Sequence, residues 1–241
     1  MQSEFDRAAH GFAERTKTRF DNLDPVGFSQ VAPGATVAEV GAGTGNFLSK
    51  FSEVAGKLLA VDLTHGMLAE AIDREPSIQA VQGDGARLPL RSSSVDLIMS
   101  AQAFHHIWKP VPVLLEMRRV MERDGRLLLV DQVATESYEQ IAFMNELEVL
   151  RDPSHATSRA PSAFRIMIGQ AGLQIEDERI VEVRNRFEEW MLPGEFPPER
   201  IDRVKTFVSD HGAETGMDFV LDDDGYSFLR RRIMILARRA A

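Results

Sequence analysis

Three features of the sequence predict an α/β fold, a doubly wound and mostly parallel sheet with helices on both faces. Short apolar runs alternate with segments of helical spacing through the first half of the chain. A glycine-rich turn, Glu39-Val-Gly41-Ala-Gly43-Thr-Gly45-Asn46, follows the first apolar run. The 241 residues, 44% of them apolar and with no internal repeat, suit one generous domain with a full core.

The elements follow in order. Thr36–Val40 reads as a buried strand because it is apolar and ends in the turn. Gly45–Ala55 has helix-like spacing at Phe47, Leu48, Phe51 and Val54. Lys57–Asp62 is a second strand, and Met67–Ile72 sits in a helix. Ile78–Val81 and Val95–Ser100 are the third and fourth strands. Pro110 and Pro112 mark the start of a helix over Val111–Met121. Gly125–Val133 is a fifth strand. Glu136–Leu150 reads as a helix, Arg151–Arg159 as a polar loop, and Ser162–Ala171 as a helix stopped by Gly172. Leu173–Val183 is a strand. Phe187–Trp190, a Pro-rich turn at Pro193–Pro198 and a helix over Glu199–His211 read as cap elements inserted in the one domain. Ile233–Ala237 is a last strand. The expected division is an N-terminal helical lid (1–30), a first half that forms the main site (31–135) and a second half with cap insertions (136–241).

Composition narrows the function. There is no cysteine, which excludes a disulfide framework, a thiolate metal site and a cysteine nucleophile. The histidines lack metal-ligand spacing, so no metal is expected. A net charge of −9 disfavours nucleic acid as the main partner. Arg230, Arg231 and Arg232, with Arg238 and Arg239, flank a short apolar stretch and read as the charged flanks of an edge strand. The polar N-terminus lacks the apolar core of a signal peptide, and no apolar run approaches the length of a spanning helix. No membrane partner and a cytoplasmic location are therefore expected.

The turn at Gly41, Gly43 and Gly45 stands between a strand and a helix-like segment, where a nucleotide-type ligand would need it. Its glycines fall at positions one, three and five. The dinucleotide fingerprint has them at one, three and six, and here the sixth is Asn46. No Gly-Lys-Ser/Thr follows, so it is not a phosphate loop. Asp62 ends the second strand, where a carboxylate can accept from a ribose diol or cap the next helix. Gly83-Asp84-Gly85 follows the third strand and reads either as an adenine-amine acceptor or as a plain Asp-Gly turn.

In this order, on successive strand ends, these residues resemble the class I S-adenosylmethionine-dependent methyltransferases. The closer resemblance is to the ubiquinone/menaquinone-biosynthesis-like group that acts on small molecules, the type 11 methyltransferases. It is carried by Val37–Gly45, by Ala60-Val-Asp62 with Gly66-Met67-Leu68, and by Gly83–Ala86 with Leu88-Pro89-Leu90. Val95–Ser100 leading into Ala103-Phe-His105-His106, and Glu116–Val120 with Gly125–Leu129, extend it. Coverage is clear from about Val31 to Val133. The departures are Gly85, where the group usually has alanine, and Thr64-His65 before Gly66.

The resemblance implies a seven-stranded Rossmann-like sheet whose last strand is antiparallel, here Arg231–Ala237. It implies S-adenosylmethionine as cofactor. Glu39, Gly41, Ala42, Gly43 and Gly45 would surround the amino-acid half. Asp62 with Leu63 would take the ribose, and Met67, Gly83, Asp84 and Gly85 the adenine side. Ala101 and Gln102 would line the methionine side near the methyl group. No Asn/Asp-Pro-Pro-Tyr/Phe sequence occurs at Ser100–Phe104, which argues against amine methylation of DNA or glutamine.

Methyl transfer needs alignment and dryness, and a base only when the nucleophile must lose a proton. His105, His106 and His155 are the candidates, since imidazole titrates near neutrality; adjacent His105 and His106 are not expected to face one pocket together. Phe5, Phe12 and Phe20 could form a lid or an amphipathic packing helix. Phe187 and Trp190 could wall a flat, aromatic or quinone-like acceptor, or could be core. Rival readings are a non-catalytic binder of the same cofactor, an enzyme running another reaction on it, and a nicotinamide-dependent oxidoreductase. The oxidoreductase lacks its sixth-position glycine, and neither Tyr138 nor Tyr226 has Lys four residues on.

Overall fold

The computed structural model describes residues 11, 13–14, 16–191 and 196–240. One sheet organises them, with strand order β3-β2-β1-β4-β5-β8-β6 and β7 paired to β8. The strands are β1 (Thr36–Val40), β2 (Lys57–Asp62), β3 (Ile78–Gln82), β4 (Val95–Ala101), β5 (Met121–Gln132), β6 (Leu173–Arg186), β7 (Val220–Asp222) and β8 (Gly225–Arg239). β1 to β5 pair in parallel, and β8 runs antiparallel between β5 and β6. This is the doubly wound sheet that the sequence predicts, with β7 as an added hairpin strand. The hairpin turns at Asp222–Gly225, and Gly225 takes φ +99°, a conformation that glycine adopts without strain.

The helices are α1 (Pro25–Ser29), α2 (His65–Arg74), α3 (Pro110–Val120), α4 (Tyr138–Arg151), α5 (Pro161–Gln170), α6 (Phe187–Met191) and α7 (Pro198–His211). Several start where proline fills the first turn, as in α1, α3, α5 and α7, because proline's missing N–H costs nothing there. Two apolar layers clothe the sheet. Ile98, Leu127, Leu129, Ile233 and Ile235 pack on α3 and α5. Val37, Leu97, Leu128, Met234 and Leu236 pack on the other side against Phe20, Phe28, Phe47, Phe51 and Leu68. Alternate residues of β8 thus serve opposite layers, as the two-residue period of a strand requires. A third cluster joins α4, α6 and α7 over the start of β8. Phe187 and Trp190 belong to it, both buried, with Trp190 edge-on to Phe228 at 5.1 Å. They are core rather than an exposed aromatic wall.

Two expectations need correction. Gly45–Ala55 holds no α-helix, only a 3-10 turn at Leu48–Phe51. The apolar spacing buries Phe47, Leu48 and Phe51 as a helix would, but Lys50, Ser52 and Val54 donate to carbonyls three residues back. Phe20 meets Phe47 edge-on at 4.9 Å, and the Asn46 amide donates to the Thr16 carbonyl, so tertiary packing fixes this segment. The second correction concerns Arg230–Arg232. They lie within an interior strand, not an edge strand, because β6 pairs beyond β8. Of the N-terminal phenylalanines, Phe20 is packed in the core, and Phe5 and Phe12 lie outside the described residues. Among the described residues no helix is long and apolar enough to cross a membrane.

Candidate active site

The sequence changes direction between β1 and β4, whose outward neighbours are β2 and β5. Ligands of such sheets bind at the carboxyl ends of the strands beside this reversal. A shallow cleft at the opposite edge, lined by Ala35, Asp96, Glu122 and Arg126, lies at the wrong end for that chemistry.

The turn after β1 is shaped by its glycines. Gly41, Gly43 and Gly45 all have positive φ, at +71°, +51° and +68°. A Cβ on Gly41 would meet the Ala103 Cβ at 2.7 Å, and one on Gly45 would meet Ala71 at 2.9 Å. A Cβ on Gly43 would meet nothing within 4 Å, so the turn opens there. Ala42 is buried, and its N–H donates to the Val61 carbonyl. Asp62 locks the turn to β2: its Oδ2 accepts from Gly43 N–H at 2.8 Å and its Oδ1 from Thr64 N–H at 2.9 Å. Each oxygen keeps a further lone pair for a ligand hydroxyl. Leu63, next to it, is 54% exposed, a large apolar side chain at the rim. Met67 is buried on α2.

Glu39 is buried, and its Oε2 has no hydrogen-bond partner among the described residues. Burial, with the Asp62 charge added, pushes its carboxyl well above the usual range, against the pull of the Leu48 and Ala101 N–H groups. Gln102 is the second orphan. It sits at φ +53°, directly after β4 and Ala101, and neither end of its buried amide has a partner among the described residues. Unpaired buried polar atoms are costly, so these two mark a place built for a polar ligand.

Gly83 and Gly85 have packing reasons of their own. A Cβ would strike Pro89 at 2.7 Å from Gly83 and Val40 at 3.0 Å from Gly85. Between them Asp84 is exposed and accepts from Ala86 N–H at 2.8 Å, which makes a local turn. That bond occupies Oδ1 alone.

Beyond β4 the three histidines come together. Ring centroids of His105 and His106 are 4.2 Å apart, and those of His105 and His155 are 5.7 Å apart. The polar loop is tied to the turn that carries His105. Ala156 and Thr157 N–H both donate to the His105 carbonyl, and Arg159 donates to the carbonyls of Phe104 at 2.7 Å and Ile107 at 2.6 Å. His105 Nδ1 lies 2.6 Å from Asp131 Oδ1, both buried, at the end of β5. Asp131 also accepts from the N–H groups of Phe104, His105 and Gln132. Burial raises Asp131 to about 6, and those backbone donors hold it below neutrality, so it is ionised at pH 7. Burial, then His106 and His155, hold His105 well below the ordinary imidazole range, so it is neutral. With Nδ1–H donating to Asp131, its Nε2 carries the lone pair.

His155 is neutral as well, lowered chiefly by burial. Asn145 Oδ1 already accepts from Ser158 N–H, and it faces His155 Nε2 at 3.0 Å. His155 is therefore protonated on Nε2, and its buried Nδ1 has no partner among the described residues. His106 is half-buried, with Nδ1 3.1 Å from both the carbonyl and the hydroxyl of Ser154, and it anchors the loop. The sequence assigns no individual role to Asp131, Gln132 or Asn145, although Asp131–Val133 is one of the carboxyl strand ends where such a sheet binds ligands. For Asp131 a signal existed: a polar pair ends the apolar run Leu127–Val130 at the carboxyl edge of a buried strand.

The residues present fit the cofactor that the resemblance implies. The turn is open at Gly43, a fixed carboxylate lies at Asp62, and buried orphan acceptors and donors lie at Glu39 and Gln102. Among the described residues no cluster of His, Asp and Glu suits a metal ion.

Comparison with known proteins gives a consistent result. Residues 38–129 match the family model described as a methyltransferase domain. The uncharacterized methyltransferase YcgJ of Bacillus subtilis is 30% identical over 83% of this chain and 82% of its own. A demethylmenaquinone methyltransferase of Renibacterium salmoninarum is 30% identical over 45% of each chain. A Bacillus halodurans protein described as a methyltransferase superposes with a TM-score of 0.84, at 25% identity, over 90% of this chain and 97% of its own.

Proposed function

This chain belongs to the S-adenosylmethionine-dependent methyltransferases, and from that premise we propose that it methylates a small organic acceptor whose attacking atom must shed a proton, with His105 as the base. The observation that carries the reading is the His105–Asp131 pair at the carboxyl ends of β4 and β5.

In this reading Glu39, Gly41, Ala42, Gly43 and Gly45 hold the amino-acid half of the cofactor. Asp62 and Leu63 hold the ribose, and Met67, Gly83, Asp84 and Gly85 line the adenine. Ala101 and Gln102 flank the methionine side chain. A cationic amino group against Glu39 would draw its buried carboxyl back to the anion. S-adenosylmethionine supplies an electrophilic methyl group on a sulfonium.

The rest falls to the chain's own side chains. His105 Nε2 accepts the proton of the acceptor's O–H, N–H or acidic C–H. Asp131 fixes the tautomer that makes this possible and stabilises the imidazolium that forms, as a buried carboxylate does beside histidine in other enzymes. The clamp of Arg159 on the Phe104 and Ile107 carbonyls holds the ring in place. His155, with its unpaired Nδ1, is the second candidate for the base, and His106 serves to anchor the loop. An aromatic or quinone-like acceptor is supported by the Renibacterium relative, whose name states a quinone-type substrate. Phe187 and Trp190 lend this no support, since both are core.

The test is turnover of the His105→Gln, His106→Gln and His155→Gln variants on an acceptor found by screening with labelled cofactor. His105→Gln is expected to lose about 10²–10⁴-fold in kcat with S-adenosylhomocysteine affinity unchanged. Retention of kcat within threefold would remove His105 from the reaction.

A further inference from the structure

One face of β8 carries Phe228, Arg230, Arg232, Met234 and Leu236 in alternation. Phe228, Met234 and Leu236 are buried apolar residues, as parity on an interior strand demands. The two between them are arginines, 8% and 4% exposed. Arg231, of the opposite parity, turns outward to Glu182 at 2.7 Å and Asp218 at 3.1 Å. Arg230 and Arg232 have no such outlet.

Their partners are neutral. Arg230 Nη2 donates to the Gln132 amide oxygen at 2.6 Å, and Arg232 Nη1 donates to the Arg19 carbonyl at 2.7 Å and to Asn22 at 3.4 Å. Nε of each is buried without an acceptor, and among the described residues neither guanidinium meets a carboxylate within ion-pair distance. Arg19 and Arg151 lie within electrostatic range. Among the described residues, the carboxylates in electrostatic range of Arg230 and Arg232 are Glu148 and Asp131, and neither bonds them directly. Glu148 Oε2 holds Arg151, and Asp131 holds His105. Burial draws Arg232 down to about 9 and lowers Arg230 as well, yet both stay charged at neutral pH. Buried charges without a hydrogen-bonded counter-charge are costly, and among the described residues Glu148 and Asp131 act on these two only across space.

We propose that Arg230, backed by Arg232, binds an anionic group, a carboxylate or a phosphate, carried by the acceptor. The inference rests on the methyl-transfer reading and adds the substrate's class to it. Position supports it. Arg230 bonds Gln132, the Gln132 N–H bonds Asp131 at 2.7 Å, and Asp131 bonds His105. Arg230 also lies within electrostatic range of His105 and Asp131, so an anion on Arg230 stands near the base and tethers the acceptor there. Arginine suits the task because its planar fork meets carboxylate and phosphate with two parallel donors.

The experiment reads binding, not turnover, so it can fail independently of the base assignment. Benzoate and methyl phosphate are titrated calorimetrically into protein saturated with S-adenosylhomocysteine, for wild type, Arg230→Gln and Arg230→Lys. S-adenosylhomocysteine and methylthioadenosine, which lacks the carboxylate, are titrated alongside. Saturable binding of at least one anion is expected, weakened about ten- to hundredfold in Arg230→Gln and less in Arg230→Lys, with homocysteine-ligand affinity within twofold. If Arg230→Gln does not fold, the lysine variant and the rise in wild-type Tm with either anion carry the result. No saturable anion binding to wild type overturns the proposal. So does a tenfold loss of S-adenosylhomocysteine affinity with methylthioadenosine unchanged, which would give the pocket to the cofactor's own carboxylate.

Discussion

Replacing Asp131 by asparagine tests the central geometry without any acceptor. The carboxylate receives His105 Nδ1–H and Gln132 N–H on Oδ1, and Phe104 and His105 N–H on Oδ2. An amide has one oxygen and one NH₂ to place in these two positions. With NH₂ in the Oδ2 position, two backbone donors lose their acceptor. With NH₂ in the Oδ1 position, only Gln132 N–H does, and His105 can adapt by accepting at Nδ1 instead of donating. The second arrangement is favoured, and it moves the imidazole proton to Nε2. The loss of one charge-assisted bond and the stranding of one buried N–H cost about 3–5 kcal/mol. For a chain of this size that lowers Tm by about 6–20 °C. Nitrogen-15 NMR of selectively labelled histidine reads the tautomer: Nδ1–H in wild type at pH 7, Nε2–H in Asp131→Asn. Turnover should fall about 10²–10⁴-fold, because the lone pair has left the reacting side. If His105 keeps Nδ1–H in the variant, or is cationic in wild type at pH 7, the base assignment is wrong.

Three further outcomes follow from the same structure. Gly41→Ala and Gly43→Ala share a positive φ, which costs about 1–2 kcal/mol in each. Only Gly41→Ala adds a clash with Ala103, whereas Gly43→Ala projects into the opening; thermal melts should show the larger loss for Gly41→Ala and calorimetry should show weakened S-adenosylhomocysteine binding for Gly43→Ala. Asp62→Asn must turn an NH₂ toward either Gly43 or Thr64 N–H, so cofactor affinity should fall at least about tenfold, and an unchanged Kd would detach Asp62 from the cofactor. Acid should destabilise the fold through His105 and His155. Their folded pKa values lie below the unfolded 6.5, so the unfolded state takes protons first and stability falls as pH drops below about 6.5. Asp131 has the opposite sign: raised from 3.8 to about 6, it favours the folded state as pH falls through that window. Tm measured from pH 7.5 to 5 should therefore decline, and His155→Gln should lessen the decline.

The first half of the fold was legible because its signals are local. Thr36–Val40 and Lys57–Asp62 match β1 and β2 end to end, each a short apolar run closed by a glycine or an acid at the sheet edge. The segment after Gly45 was misread because apolar spacing reports which side chains are buried, not which carbonyl each N–H reaches. The meeting of the three histidines depends on Arg159 and the loop it holds. That loop brings His155 to within 6.5 Å of His106, a long-range contact invisible to periodicity. Arg230 was masked by its neighbours. A triplet of arginines looks like a solvated flank until the strand's parity shows that the outer two point inward and only Arg231 points out.

The order of strands also sets an order of events during synthesis. Among the described residues β6 pairs only with β8, and β5 meets β6 only through β8. As the chain leaves the ribosome, β6 must wait for roughly fifty further residues, some ~3–10 s at usual elongation rates, with one of its edges promised and no neighbour yet made. During that interval β1 to β5 can assemble, with Asp62 and Asp131 in place, while the arginine side of the interior does not exist. The cofactor residues and the His105–Asp131 pair can thus form first, and the arginines assigned to the acceptor's anion arrive with the last strand to join.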